Sequence, residues 1–263
     1  MSIEIDQTSI VHPKAQLGNN VKVGPYCTIS SGAVIGDNTS LQSHVVVDGN
    51  TRIGNNCSIF PFSCIGIQSQ DLKFTKGNIC YTEVGDNCII REHVTIHAGT
   101  EDGTKTVIGN NCSLLAVSHV AHNCNIGDNV ILSHGAILGG HVFIEDNANI
   151  GAQSAIHQFV RVGRYSLIAG VARVTQDIAP YTIAEGSPAI MRVVNNVGMK
   201  RASFSPEKIT EANKAFKTLF KRGHRLEQAI TMLQEDFPES DVIQEMISFI
   251  QNSERGLARP TAE

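Results

Sequence analysis

Residues 108–174 read IGNNCSLLAVSHVAHNCNIGDNVILSHGAILGGHVFIEDNANIGAQSAIHQFVRVGRYSLIAGVARV. Every sixth position is aliphatic: Ile108, Leu114, Val120, Ile126, Leu132, Leu138, Ile144, Ile150, Ile156, Val162, Ile168 and Val174. The same beat runs earlier from Ile5, Val11 and Leu17 to Ile65, and again through Val84, Ile90 and Ile96, for about 26 hexads in all. Four residues after the aliphatic the side chain is usually small, as at Ala33, Thr39, Cys57, Ser63, Cys112, Cys124, Ala136 and Ser154. A period of six suits neither an amphipathic helix nor simple strand alternation, and it is a known repeat of parallel β-helices. Three hexads close one triangular coil of about 18 residues. The aliphatic points inward, the small residue fills the narrow bend, and Gly after the aliphatic (Gly18, Gly54, Gly127, Gly151) eases the turn.

The bulk composition agrees with a narrow aliphatic interior. The 263 residues contain no Trp, only 5% aromatic residues and 17% charged ones. A formal charge of −4 gives no reason to expect nucleic acid as a partner. No apolar run approaches the ~20 residues that span a bilayer, so membrane insertion is not expected. The N-terminal MSIEIDQTSI lacks a basic stretch followed by an apolar one, so no signal peptide is expected and the protein is placed in the cytoplasm. Of seven cysteines, five (Cys27, Cys57, Cys88, Cys112, Cys124) occupy the small-residue position, and there is no CxxC pair. They read as buried core residues rather than metal ligands or disulfides.

The repeat assigns residues 1–190 to the β-helix. It lapses at about 67–83 and again at 98–106, where loops leave a corner of the prism. Pro180 and Pro188 mark the exit, and residues 191–263 form a small α-helical domain. Ser205-Pro206 makes an N-cap and N1 pair for a helix carrying Ile209, Ala212, Phe216 and Leu219, and Gly223 ends it. Two further helices follow, around Leu226–Leu233 and Val242–Ile250, and the domain caps one open end of the stack.

The coil length also sorts the histidines. One coil up from His122 is position 140, and two coils up is 158. His122, His141 and His157 therefore share one edge with Gly140 and Gln158, and the 98–106 loop starts from the same edge. A neutral imidazole titrating near ~6.5 is a ready general base. His134 belongs to another edge. Three imidazoles also suit Zn²⁺, and a β-helix metal hydratase of the carbonic-anhydrase kind is the competing enzyme reading. Against it, His119 and His122 lie three apart on what reads as a straight run, facing opposite ways, and no acidic residue completes a ligand set. A rigid structural or ice-binding solenoid would need a flat Thr-rich face without loops, which this sequence lacks.

The hexads resemble the hexapeptide acyltransferases of the left-handed β-helix class. Within that class the chain resembles the UDP-N-acetylglucosamine O-acyltransferases, which begin lipid A synthesis. The resemblance rests on QSHVVVDG (42–49), QDLKF (70–74), HVAHNC (119–124), GGHV (139–142), AIHQF (155–159) and NNVGMKR (195–201). It implies a mainly β fold: a left-handed parallel β-helix with a helical C-terminal domain, assembled as a homotrimer. It also implies transfer of an (R)-3-hydroxyacyl chain from acyl carrier protein to the 3-hydroxyl of UDP-N-acetylglucosamine, without a cofactor or metal. By the same resemblance His122 is the base, and Gly140 supplies the backbone N–H for the oxyanion. Asp71, Lys73, His119, His141, His157, Gln158, Asn195 and Arg201 contact the sugar nucleotide, and Gly170 is the acyl-chain ruler. A glycine there leaves the groove open for a long chain. Arg161, Arg164, Arg173, Lys200 and Arg201 are candidates for meeting the acidic carrier. Asn123 departs from the family, which commonly has an acidic residue directly after the base. An amide can fix the tautomer, but it cannot stabilise an imidazolium by charge.

Overall fold

The computed structural model describes residues 2–259. Short strands, most of them two residues long, fall into three sheets of eleven, nine and eight strands, visited in turn along the chain. Pairing is parallel throughout the coils, and the usual register step is 18 residues, as in Thr28↔Val46 and Ile131↔Asn149. The result is a left-handed parallel β-helix. Nine levels in the second sheet, stacked ~4.8 Å apart, give a prism about 40 Å long.

The hexad explains this shape residue by residue. Ile126, Leu132, Leu138, Ile144 and Ile150 are at most 1% exposed, as are the five corner cysteines, so each coil is filled from all three faces. Burial of one such aliphatic is worth about 1.5–3 kcal/mol. In the first described coil Ile5 remains 46% exposed, because among the described residues none stacks beneath it. On most coils the residue three after the aliphatic turns the corner with positive φ. Asn38, Asn56, Asn87, Asn111, Asn129 and Asn147 do this at the corner joining the third sheet to the first. Asn tolerates that conformation better than most residues.

Both loops leave the corner between the second and third sheets. Asn50 pairs with Tyr81, 31 residues on, so the first insertion occupies 68–80, a little narrower than the lapse in the repeat. Thr95 pairs with His119, 24 residues on, one hexad more than a regular coil. The 98–104 loop therefore keeps the phase but displaces the count, and the residue one coil below His122 is Ala98, not Thr104.

The chain leaves the prism through a hairpin that the repeat does not forecast. Thr182–Gly186 pairs in parallel with Leu167–Ile168, and Ala189–Val194 returns antiparallel. The division at 190/191 falls inside that return strand. Helices follow: α1 (Asn196–Arg201), α2 (Pro206–Phe220), α3 (Leu226–Asp236) and α4 (Asp241–Gln251). The Ser205 side chain accepts from Lys208 N, with Pro206 opening α2, and Ser240 caps α4 in the same way. The final segment returns to the last coil, where Ala258 N–H donates to Asp177 O at 2.9 Å.

Candidate active site

The corner between the second and third sheets gathers the reactive side chains. The second sheet sets the register His119↔Ile137↔Ala155, which stacks His122, Gly140 and Gln158 in one column. The adjacent column holds Asn123, His141 and Phe159, all with positive φ. His122 is 8% exposed, and its Nδ1 lies 2.9 Å from Asn123 Oδ1. The His141 ring sits edge-on to it with centroids 5.2 Å apart, and Phe159 stacks on His141 at 4.7 Å.

The other ring nitrogen lies beside Gly140. A Cβ built on Gly140 would lie 2.5 Å from His122 Nε2, so any side chain at 140 would fill the position over that nitrogen. Gly140 is buried, yet among the described residues its N–H has no acceptor. Equivalent amides on the Asn-lined corner are capped by Asp or Asn side chains: Asn19 N–H by Asp37 at 2.7 Å, Asp37 N–H by Asn55 at 2.8 Å, Asn110 N–H by Asp128 at 2.6 Å. A buried, uncommitted amide beside a basic nitrogen is the geometry of an oxyanion donor next to a general base.

The two loops enclose the far side. Asp71 Oδ2 stands 3.4 Å from His122 Nε2, too long for a strong hydrogen bond. The loops are clipped together by Thr100 Oγ1 donating to Ser69 Oγ at 2.6 Å and Asn78 Nδ2 donating to Thr100 O at 2.9 Å. Ser69 Oγ in turn accepts from Asp71 N–H at 3.1 Å. Lys73 is exposed on the same loop.

His97 escaped the sequence reading because an 18-residue count skips it. With the extra hexad it lies one coil below Ala121, 6% exposed and edge-on to His119 at 4.8 Å. Burial, helped by the His119 and His122 charges, holds its imidazole down at about 4. His119 and His141 are pushed down for the same reasons, burial first and then His122. His119 Nδ1 is 2.7 Å from Thr95 Oγ1. The straight run assumed for 119–122 is a two-residue strand followed by a turn, so His119 and His122 are neighbours rather than opposed. Even so, among the described residues no three His, Cys, Asp or Glu side chains are disposed to hold a metal ion.

His157 stays at this corner beside Gln158, and other expected positions lie elsewhere. His157 is exposed, with Nδ1 2.9 Å from Arg255 Nη2, a partner that nothing in the repeat signals. Gly170 stands over Ala152 at the corner between the first and second sheets, the corner of His134. Asn195 caps α1 through Gly198 N–H at 3.0 Å and donates to Tyr165 O at 2.9 Å, which places it at the Asn-lined corner. Arg201 is exposed at the end of α1. Arg161 donates to Asn252 O at 2.9 Å, and Arg164 pairs with Glu245 at 3.4 Å. Both are struts between the prism and α4, not free cations awaiting a carrier. Among the described residues no helix is long and apolar enough to cross a membrane.

A prism of hexapeptide coils with a buried imidazole beside an uncommitted amide places the chain among the hexapeptide-repeat transferases. The family described as bacterial transferase hexapeptide (six repeats) matches residues 14–49 and 105–140, and that described as UDP N-acetylglucosamine O-acyltransferase, domain 2, matches 177–258. A Thermodesulfovibrio yellowstonii protein named acyl-[acyl-carrier-protein]--UDP-N-acetylglucosamine O-acyltransferase is 43% identical over 97% of this chain and 99% of its own. One of the same name from Akkermansia muciniphila is 47% identical over 96% and 98%. The UDP-N-acetylglucosamine acyltransferase structure from Francisella novicida superposes with a TM-score of 0.94 at 35% identity, covering 98% of this chain and 94% of that one. The chain belongs to the acyl-[acyl-carrier-protein]--UDP-N-acetylglucosamine O-acyltransferase family.

Proposed function

We propose that this protein transfers an (R)-3-hydroxyacyl group from acyl carrier protein to the 3-hydroxyl of UDP-N-acetylglucosamine, in the cytoplasm, as the first step of lipid A biosynthesis. The observation that carries this reading is His122, with Nδ1 bound to Asn123 and Nε2 facing the space beside Gly140. His122 Nε2 takes the proton of the sugar hydroxyl as its oxygen attacks the thioester carbonyl. The negative oxygen of the tetrahedral intermediate is met by the Gly140 N–H. Collapse breaks the C–S bond, and the imidazolium returns its proton to the departing sulfur. Asp71 and Lys73 hold the sugar, and His119, His141, His157 and Gln158 line the pocket around it. The test is turnover of acyl carrier protein thioester and UDP-N-acetylglucosamine by His122→Ala. A loss of about 10²–10⁴-fold in a folded protein is expected, and near-normal turnover overturns the assignment.

We also infer a homotrimer. Gly170, Asn195 and Arg201 serve the site only if a neighbouring copy brings them to the His122 corner. The corner of Gly170 also carries an exposed apolar ladder, with Tyr26 59%, Phe62 48%, Val117 51% and Val171 72% exposed. A side chain added at Gly170 meets only Ala152 backbone, at 3.3 Å, so the glycine leaves room for a long tail, of the order of 12 carbons. Gly170→Met should then shift donor preference to shorter chains. Mixed assemblies of His122→Ala with Gly170→Met should carry some sites free of both changes, formed by a wild-type His122 corner and a neighbour's wild-type Gly170. Long-chain turnover that mixing does not raise, or an active monomer by sedimentation, refutes the shared site.

A further inference from the structure

The uncharged Asn123 behind His122 has a second partner. Its Oδ1 accepts from Thr100 N–H at 3.0 Å as well as facing His122 Nδ1 at 2.9 Å, and its Nδ2 donates to Glu101 Oε2 at 3.2 Å. Its own N–H is held by Thr106 Oγ1 at 2.9 Å. These partners leave the amide only one orientation. A backbone N–H can only donate, so the atom beside Thr100 is oxygen, and an ionised carboxylate can only accept, so the atom beside Glu101 is nitrogen. With oxygen towards the ring, His122 carries its proton on Nδ1, and Nε2 is the free base.

We infer that Glu101 is a positioning residue for His122: its carboxylate locks the Asn123 amide and, through the polarised amide, supplies negative charge behind the imidazole. Charge on Glu101 draws on the Nδ2–H bond, which raises electron density on Oδ1 where it receives the ring N–H. When His122 becomes an imidazolium, the amide passes on part of the stabilisation that it cannot give alone. The other groups facing the ring do not replace this. His97, His119 and His141 are kept neutral by burial, and Asp71 stands at the opposite nitrogen. Lys73 and Glu101 act on His141 in opposite senses, so the Glu101 field does reach this corner. Asp102, the neighbouring carboxylate, is taken up by Ile79 N–H at 2.7 Å.

The inference rests on His122 being the base, and the experiment separates the two. Glu101→Gln keeps an acceptor for Asn123 Nδ2 and removes only the charge. The residue is exposed on the loop, so the fold should be unaffected, as a melting curve would check. With acyl carrier protein thioester and UDP-N-acetylglucosamine, kcat should fall by about 2- to 5-fold, the scale of a solvent-screened charge contact. KM for the sugar nucleotide should hold, and the acid limb of the kcat/KM profile should move to lower pH, because the imidazolium is less stabilised. In the Asn123→Asp background two carboxylates would face each other, so there Glu101→Gln should raise activity instead. That reversal of sign is the signature. A Glu101→Gln enzyme with wild-type kcat and acid limb, or with the same effect in both backgrounds, overturns the inference. If His122→Ala retains turnover, the base assignment fails instead.

Discussion

The sharpest test of the site's geometry is a single methyl group, Gly140→Ala. The added Cβ would lie 2.5 Å from His122 Nε2, 2.6 Å from Cε1 and 3.2 Å from Cδ2. Contact distances near 3.5–4.0 Å require the ring to retreat by roughly 1 Å. Retreat is obstructed. Nδ1 is held by Asn123, itself fixed by Thr100, Glu101 and Thr106, and the His141 ring lies edge-on at 5.2 Å. Displacement of a reacting group by about 1 Å costs on the order of 10²-fold, and mis-aiming an oxyanion donor costs about 10²–10³-fold. We therefore expect kcat to drop by at least ~10², followed by thiol release from the acyl carrier protein thioester. KM for UDP-N-acetylglucosamine should change little. Overpacking of this kind destabilises by about 1–3 kcal/mol, which urea unfolding would register without loss of the fold. Turnover within about threefold of wild type would mean that the space beside Gly140 is not where the thioester reacts, because neither of those losses could then be operating.

Two further outcomes test the scaffold. Ile126→Ala, in the middle of the stack and 1% exposed, should cost about 2–5 kcal/mol by chemical denaturation while leaving activity per folded molecule intact; a loss below about 1 kcal/mol would contradict the packing described. His97 is held at about 4 against an ordinary 6.5, so between those values the unfolded chain binds the extra proton and stability falls as pH falls, with the full contribution present above pH 6.5. His97→Phe should therefore lose less stability than wild type between pH 7.5 and pH 5, by about 2 kcal/mol, and equal losses would show that His97 is not kept neutral by burial.

What the sequence made legible follows from what its repeat encodes. The inward aliphatics and small corner residues fix the prism, because a one-residue slip would turn Ile126 or Leu132 out to solvent, and each of them is buried as the hexad requires. The same count put Gly140 above His122. It failed where the coil changes length: the extra hexad between Thr95 and His119 hid His97, since a six-residue insertion preserves phase and the lapse at 98–106 does not show that the coil has grown. Glu101 and Arg255 were invisible for another reason. Their contacts with Asn123 and His157 cross from a loop and from the C-terminal segment, and no periodicity governs either.

The corner itself explains why chemistry settled where it did. At the Asn-lined corner the amide two residues after the aliphatic is capped by a side chain from the coil above, as Asn110 N–H is by Asp128. Such a cap satisfies the backbone and leaves nothing to bind a ligand. In the His122 column the residue above Gly140 is Gln158, which leaves the amide free, and Gly140 clears the space beneath it. The unused hydrogen bond is a local cost that the coils above and below can carry, because each adds buried aliphatics on three faces. The loops at 68–80 and 98–104 then close over the corner that carries His122, bringing Asp71 to one ring nitrogen and setting Glu101 behind the Asn123 amide that faces the other. A repeat that builds stability by sameness thus acquires a reactive centre by adding two loops at an edge where a buried imidazole adjoins an uncapped amide.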